Sequence, residues 1–209
     1  MRLARFRELL AGLGPRPDAE YLYDAGTPAG ALRLANLERY LALLAEQRPT
    51  TILVAEAPGH RGATVTGVPF MSLRELTARP GLITGAPDGD GFAAPADAAP
   101  AWELSASAVW AAIRDWHPLP VSWPIYPNHP FRPGEPASNR PPRVEEVRAG
   151  APIALELIAA LGVTRVVAIG RKAQGALALA GVEATAVRHP AQGGLTEFRA
   201  GMAALAAER

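Results

Sequence analysis

The sequence predicts an α/β fold with three layers, α/β/α, around a central, mostly parallel sheet of four strands. Two observations predict it. Four short apolar segments are typical of buried strands, and segments with helical periodicity alternate with them along the 209-residue chain. This alternation favours a parallel sheet, because parallel neighbours are joined by crossover connections that are usually helical. We expect one domain over residues 1–209, a length that allows a full hydrophobic core.

The elements are predicted from periodicity and from residues that start or end helices. Leucines recur at roughly helical spacing over 28–47, and Ser105 is a candidate helix cap. Two prolines followed by Glu145 and Glu146 favour a helix start near 141. The predicted strands are 51–55, 121–126, 165–169 and 183–187. The predicted helices are 1–10, 28–47, 105–116, 141–161, 171–179 and 195–207, with irregular stretches at 79–100 and 127–142.

Composition narrows the class of protein. Hydrophobic residues make up 49% and charged residues 20%, which is ordinary for a soluble globular domain. No apolar run reaches membrane-spanning length and no signal peptide is evident, so we expect a cytoplasmic monomer with no membrane partner. The sequence contains no cysteine, which excludes disulfides, iron–sulfur clusters and thiolate zinc sites. We expect no metal and no cofactor.

Polar and glycine-rich segments follow each of the four predicted strands. Sites in open parallel sheets form beyond the carboxyl ends of the strands. These segments are therefore expected to converge on one catalytic cleft. They are residues 56–59, 128–139, 170–172 and 189–194.

The first of these segments offers a carboxylate on a stiff turn. Glu56 directly follows the first strand and precedes Pro58 and Gly59, so it could hold a water molecule or stabilise a cationic transition state. Alternatively, Glu56 only caps a helix. Phe70 follows a Gly-Val-Pro sequence and is either a core residue or a stacking platform.

The other three segments offer hydrogen-bonding and basic groups. Asn128 could read the edge of a base with its amide, or could satisfy its own turn. Arg171 and Lys172 at a helix start oppose the helix dipole and suggest an anionic neighbour such as phosphate, or they are simply solvated. His189 could donate to a developing oxyanion, or could serve only as a structural hydrogen-bonding group.

The order and spacing of these segments, over about residues 51 to 200, resemble the uracil-DNA glycosylase superfamily. Ala55 to Gly59 resembles the motif Gly-Glu-Ala-Pro-Gly of one branch, with alanine at its first position, and Gly67 to Phe70 resembles the Gly-x-Pro-Phe element that follows it. Residues 128–146 resemble its Asn to Asn-Arg-x-Pro stretch, and residues 166–173 a strand that ends in Leu-Gly-Arg-x-Ala. His189-Pro190 resembles the second motif, His-Pro-Ser, with Ala191 in place of serine. That branch usually carries four cysteines around an iron–sulfur cluster. This chain has no cysteine, so it would be a relative without the cluster.

The resemblance implies a DNA glycosylase that hydrolyses the N-glycosidic bond of a base flipped out of DNA, the first step of base excision repair. The substrate would be DNA containing uracil or another deaminated base. Glu56 and His189 would be catalytic, Phe70 would stack on the base, and Asn128, with Ala57 and Gly59, would bind it. Candidates for binding DNA phosphates are Arg140, Arg171, Lys172, Arg188, Gly193 and Gly194.

Two rival functions stay open at this point. One is a glycosylase that prefers hypoxanthine or xanthine to uracil. The other is a non-catalytic protein of the same fold that binds DNA or senses damage. A nucleotide-binding α/β enzyme is disfavoured, because the glycines form neither a dinucleotide fingerprint nor a phosphate loop.

Overall fold

The computed structural model of the chain describes residues 3–96, 98 and 102–208. Its strands are β1 (Ala19–Glu20), β2 (Thr51–Ala55), β3 (Val121–Pro124), β4 (His129–Pro130), β5 (Arg165–Ile169) and β6 (Thr185–Val187). Its helices are α1 (Ala4–Ala11), α2 (Pro28–Gln47), α3 (Ala63–Thr66), α4 (Leu73–Leu76), α5 (Leu104–Ile113), α6 (Val144–Leu161), α7 (Arg171–Leu179) and α8 (Leu195–Ala207).

Four strands form the central sheet in the order β3-β2-β5-β6, and every neighbouring pair is parallel. Helices flank this sheet: α1 packs on α6, α6 on α7, and α5 on α8. The predicted three-layer α/β/α fold with a four-stranded parallel sheet is therefore confirmed. The middle strands carry the core, since Ile52, Leu53, Val54 and Val167 are all fully buried. Burial on both faces explains why these strands are continuous apolar runs.

Several helix and strand boundaries differ from the predicted ones. Helix α5 begins at Leu104, with Glu103 as its N-cap residue, whereas Ser105 is buried in its first turn. Helix α6 begins at Val144, after the two prolines, and β6 begins at Thr185. The antiparallel pair β1 and β4 was not predicted, because two residues are too few to give a periodic pattern.

The stretch 79–100 contains no helix or strand among its described residues, as predicted, while residues 97, 99 and 100 lie outside the description. Asp90 organises part of it, because its carboxylate accepts hydrogen bonds from the backbone N–H groups of Ile83 and Thr84 at 3.0 and 2.8 Å. Within the described part of the chain, no helix combines the length and apolar character that crossing a bilayer requires.

Candidate active site

The parallel register places the carboxyl ends of all four central strands at one edge of the sheet. Glu56 follows β2 directly, Gly170 follows β5, and His189 lies two residues beyond β6. The structure thus brings Glu56 and His189, which are far apart in sequence, to the same edge. Lys172 also influences both side chains, because its positive charge acts to lower the pKa of Glu56 and that of His189.

Glu56 is held by the neighbouring strand. Beyond the last residue of β3, the backbone N–H of Ile125 donates to the Ala55 carbonyl at 2.9 Å and that of Tyr126 to the Glu56 carbonyl at 3.2 Å. The Glu56 side chain is half-buried. Burial raises the pKa of Glu56, and the positive charge of Lys172 offsets part of that rise. The result is a carboxylate with reduced solvation, next to a cation at the sheet edge.

His189 has a defined tautomer. The backbone N–H of Ala191 donates to its Nδ1 atom at 3.1 Å, so Nδ1 carries no proton. Burial lowers the pKa of His189, and the positive charges of Arg188 and Lys172 lower it further. A neutral imidazole whose Nδ1 accepts a hydrogen bond must carry its proton on Nε2. His189 is therefore a neutral Nε2–H donor.

Two glycines make room for the His189 turn. Gly170 has a φ of +93°, and a Cβ there would lie 3.0 Å from the Cβ of His189. A Cβ on Gly194 would lie 2.2 Å from the His189 carbonyl oxygen, and the Gly194 N–H already donates to Ala191 at 3.2 Å. Gly194 was predicted to bind phosphate. Gly194 is buried and its N–H is already hydrogen-bonded, so it has a packing role instead. Gly193, which was also predicted to bind phosphate, is exposed.

Three of the four predicted phosphate-binding cations are exposed at this edge. Arg171, Lys172 and Arg188 are all exposed, and none of them forms a salt bridge within the described residues. Arg171 and Lys172 open helix α7, where the helix dipole disfavours positive charge. Their positions are consistent with an external anion, since no carboxylate of the described chain pairs with them.

Arg140, the fourth predicted cation, is not available to phosphate. Its guanidinium pairs with both carboxylate oxygens of Glu146 at 2.7 Å and with Asp18 at 3.1 Å. The Arg140 side chain is 12% exposed and that of Glu146 is fully buried. Burial alone would raise the pKa of Glu146, but hydrogen bonds from Arg140 and Arg143 outweigh it and lower that pKa. The prediction for Arg140 is therefore wrong: this side chain stabilises the fold.

Arg140→Met should lower the free energy of unfolding by about 3 kcal/mol, because it leaves the Glu146 carboxylate buried without its partner. Urea denaturation measures this loss. Arg132→Met is the matched control, since Arg132 pairs with Glu135 at an exposed site where such pairs contribute under about 1 kcal/mol. If Arg140→Met were as stable as wild type but bound DNA more weakly, the phosphate-binding role predicted for Arg140 would be restored.

Asn128 is tied into the fold through one end of its amide. It is fully buried, and its Nδ2 group donates to the Gly14 carbonyl at 2.8 Å. The amide therefore connects the loop after β3 to the N-terminal segment. Its Oδ1 atom is also buried but has no hydrogen-bond partner in the described part of the structure, so one acceptor of the amide is unused and its role in binding a base stays a prediction. Its neighbour in sequence, His129, is buried as well, with Nδ1 2.9 Å from the Pro58 carbonyl.

Phe70 is partly exposed and has a left-handed backbone, with a φ of +52°. This conformation is unusual for an aromatic residue and costs energy. The Trp110 indole N–H donates to the Phe70 carbonyl at 3.0 Å and holds the turn in place. Strained residues of this kind cluster at binding sites. Phe70 packs only partly against the core and leaves part of its ring accessible.

Two side chains outside the predicted set of site residues lie against the turn after Glu56. The backbone N–H of His60 donates to Oδ1 of Asn139 at 3.0 Å. The Glu103 carboxylate lies so close to Gly62 that any Cβ there would overlap Oε2. No sequence signal could have found Glu103, because the contact spans about forty residues and depends on where helix α5 begins.

Glu103 has an unusual ionisation. Burial, with the negative charge of nearby Glu75, raises the pKa of Glu103 to about 7. Glu75 itself is buried and accepts hydrogen bonds from Ser72 and from Ser107, the latter at 2.8 Å. Glu103 has no hydrogen bond or ion pair to its carboxylate in the described part of the structure. It is therefore an unpaired acid beside the candidate site.

Glu103→Gln should stabilise the protein at pH 8 by about 2 kcal/mol more than at pH 5. The pKa of Glu103 is about 7 in the folded protein and 4.5 in the unfolded chain. Between these pH values the folded protein binds more protons than the unfolded chain, so wild-type stability falls as pH rises through this range. Glutamine removes this penalty. Denaturant unfolding at both pH values measures it, with Glu183→Gln, at an exposed residue before β6, as the control. An equal effect at both pH values would contradict the assignment.

Two cavities lie elsewhere in the molecule. One, of about 320 Å³, lies between α1, α2 and residues 21–25, and the other, of about 680 Å³, lies at the opposite end of the sheet, next to Thr51 and Arg165. Neither cavity is lined by a candidate residue; the candidate residues converge at the carboxyl ends of the central strands. The described residues contain no cluster of three or more histidine or acidic side chains arranged to hold a metal ion.

Comparison with known proteins adds no family to this description. No protein-family model matches the chain, and no curated protein matches it at a significant level.

Proposed function

We propose that this chain is a DNA glycosylase, related to the uracil-DNA glycosylase superfamily, that hydrolyses the N-glycosidic bond of uracil or another deaminated base flipped out of DNA. One observation carries the proposal: a half-buried carboxylate, Glu56, and a neutral Nε2–H donor, His189, lie at the same edge of the sheet. The two side chains suit the opposite charges that develop as this bond breaks.

His189 would serve the departing base. As the bond from C1′ to the base nitrogen breaks, its electron pair moves onto the base and negative charge builds on a base carbonyl oxygen. A neutral Nε2–H positioned beforehand stabilises such an oxyanion without having to reorganise. The Ala191 N–H keeps the imidazole in the required tautomer, and the low pKa keeps it neutral.

Glu56 would serve the sugar. Loss of the base leaves positive charge on C1′ and the ring oxygen, and a carboxylate on that side stabilises it. Glu56 can also accept a proton from the water that attacks C1′. The water oxygen then forms the new bond to C1′ and the base takes up a proton, which completes the hydrolysis. Burial raises the pKa of Glu56, and the positive charge of Lys172 offsets part of that rise and so favours the ionised form.

Phe70 and the exposed cations would hold the DNA. The accessible part of the Phe70 ring can stack on a flipped base, an interaction worth roughly 1–3 kcal/mol per base. Arg171, Lys172 and Arg188 would contact phosphates and fix the register of the strand, with Gly193 beside them. We propose that the protein acts as a monomer in the cytoplasm.

The experiment that tests the proposal is a gel assay of strand breakage after alkali. Purified protein is incubated with single- and double-stranded oligonucleotides that contain one uracil, hypoxanthine or xanthine, with the undamaged sequence as control. We expect abasic sites at one or more of the deaminated bases and none in the control. Binding to these oligonucleotides without any cleavage would identify a damage-sensing protein instead.

A further inference from the structure

Trp102 is the one of the four tryptophans of this chain that solvent reaches. It is 52% exposed, whereas Trp110, Trp116 and Trp123 are all buried. The Trp102 ring makes no hydrogen bond and no contact with another aromatic ring within the described residues. Single exposed apolar residues are common on protein surfaces, so it is the location of Trp102 that points to a role.

Trp102 lies beside the turn that follows Glu56. Its neighbour Glu103 is the N-cap residue of α5, and the Ser107 N–H donates to the Glu103 carbonyl at 3.1 Å. The Glu103 carboxylate lies directly against Gly62, which belongs to that turn. These contacts join the start of α5 to the turn, so the indole is held near the carboxyl ends of the central strands.

Exposed positive charges lie along the same edge of the sheet. Arg61 belongs to the turn after β2, is exposed, and forms no ion pair or hydrogen bond within the described part of the chain. Lys172 follows β5 and Arg188 follows β6, the next two strands of the sheet. Neighbouring strands lie about 4.8 Å apart, so the ends of β2 and β6 are roughly 10 Å apart. A single strand of DNA can follow such a row of cations past Glu56.

We propose that the Trp102 indole stacks on an unpaired base next to the flipped one, with Arg61 on a neighbouring phosphate, and that the protein therefore prefers single-stranded DNA. This inference rests on the proposed glycosylase function and adds a strand preference to it. The role differs from that of Phe70, which would stack on the flipped base itself. Every base presents a π-face to an indole, so this contact tolerates any flanking sequence.

A duplex does not offer the same contact. Its bases are paired and stacked on one another, so an indole reaches a base face only by unstacking a base step, which costs free energy. In a single strand the bases beside the flipped one are unpaired and can turn onto the indole. Trp102 should therefore discriminate between strand types, while the cations attract both.

Intrinsic fluorescence tests the stacking directly, because a base stacked on an exposed indole quenches its emission. The full chain is titrated with a single-stranded oligonucleotide carrying one 2′-fluoro-deoxyuridine, whose fluorine slows cleavage, and with the same oligonucleotide in a duplex. Anisotropy of a labelled copy gives the affinities. We expect the single strand to quench wild type but not Trp102→Leu, and the affinity of Trp102→Leu for the single strand to fall about 5- to 150-fold. Trp102→Phe should recover part of that loss.

Salt dependence separates stacking from charge. Arg61→Gln should reduce the slope of log K against log salt concentration by about 0.7, the value for one phosphate of a single strand, whereas Trp102→Leu should leave the slope unchanged. Leu155→Ala, which truncates an exposed apolar side chain on α6, is the control and should bind as wild type does. Thermal melts verify that each variant is folded.

Persistent quenching in Trp102→Leu, or an unchanged affinity for the single strand, would overturn the stacking role. A greater loss on the duplex than on the single strand would overturn the strand preference and make Trp102 a wedge between base pairs. If single-strand binding depends on Trp102 but no deaminated base is excised, the stacking role stands and the glycosylase proposal fails. If bases are excised while Trp102→Leu binds as wild type does, the glycosylase proposal stands and the stacking role fails.

Discussion

Glu56→Gln should slow single-turnover cleavage of a uracil-containing oligonucleotide by about 10²- to 10⁴-fold, the usual contribution of a positioned general base. Glutamine preserves the shape of the side chain but can neither accept a proton from water nor balance positive charge on the sugar. Binding to the 2′-fluoro-deoxyuridine oligonucleotide should stay close to that of wild type, because the carboxylate acts mainly in the transition state.

The pH profile gives a second measurement of the same prediction. Glu56 must be ionised to work, and burial raises its pKa, so wild-type cleavage should fall with acid at a pH above the ordinary range for glutamate. This acid limb should disappear in Glu56→Gln. Glu183→Gln, at an exposed residue near the opposite edge of the sheet, is the matched control and should cleave normally. Cleavage by Glu56→Gln at the wild-type rate would exclude Glu56 as the catalytic carboxylate.

His189→Ala should slow cleavage of uracil by about 10²- to 10³-fold, the cost of removing one donor to a developing oxyanion. The loss should be smaller for 5-fluorouracil, because its anion is more stable and leaves with less assistance. Single-turnover rates for the two substrates, measured on both proteins, give this comparison directly.

The comparison of substrates separates catalysis from structure. If His189 only holds its turn together, both substrates should slow equally, or the variant should unfold. His117→Ala is the matched control, since His117 is also followed by proline but is exposed and lies at the opposite end of the sheet. Equal losses for uracil and 5-fluorouracil in a folded His189→Ala protein would remove His189 from the chemistry.

The two catalytic candidates were predictable from sequence for a physical reason. Glu56 directly follows β2, His189 lies two residues beyond β6, and the carboxyl ends of parallel strands meet at one edge. Once β2 and β6 were identified, topology alone placed Glu56 and His189 together. The protonation state of His189 was not predictable, because it depends on the Ala191 N–H and on burial beside two cations.

The phosphate contact predicted for Arg140 is contradicted by its internal partners, and the internal partner of Asn128 was not predicted either. A sequence can identify Asn128 and Arg140 as hydrogen-bonding side chains, but it cannot say which partners the fold supplies. The structure supplies Glu146 and Asp18 for Arg140 and the Gly14 carbonyl for Nδ2 of Asn128, while Oδ1 of Asn128 has no partner among the described residues. Burial of a polar group costs free energy unless it is hydrogen-bonded, so a side chain such as Arg140 that is paired inside the fold is not free to bind a ligand.

The sequence by itself determined the fold class, the order of the four central strands and the six longer helices along the chain, and the edge of the sheet where a site could form, because hydrophobic periodicity and chain-breaking residues are local properties. Tertiary structure alone decided which polar side chains face that edge. Glu103 and Asn139 both lie against the turn at Gly59 only because α5 and the loop after β4 pack there, and no local pattern in the sequence records such packing. Long-range packing also decides which charges are paired, and therefore which ones remain to bind a ligand.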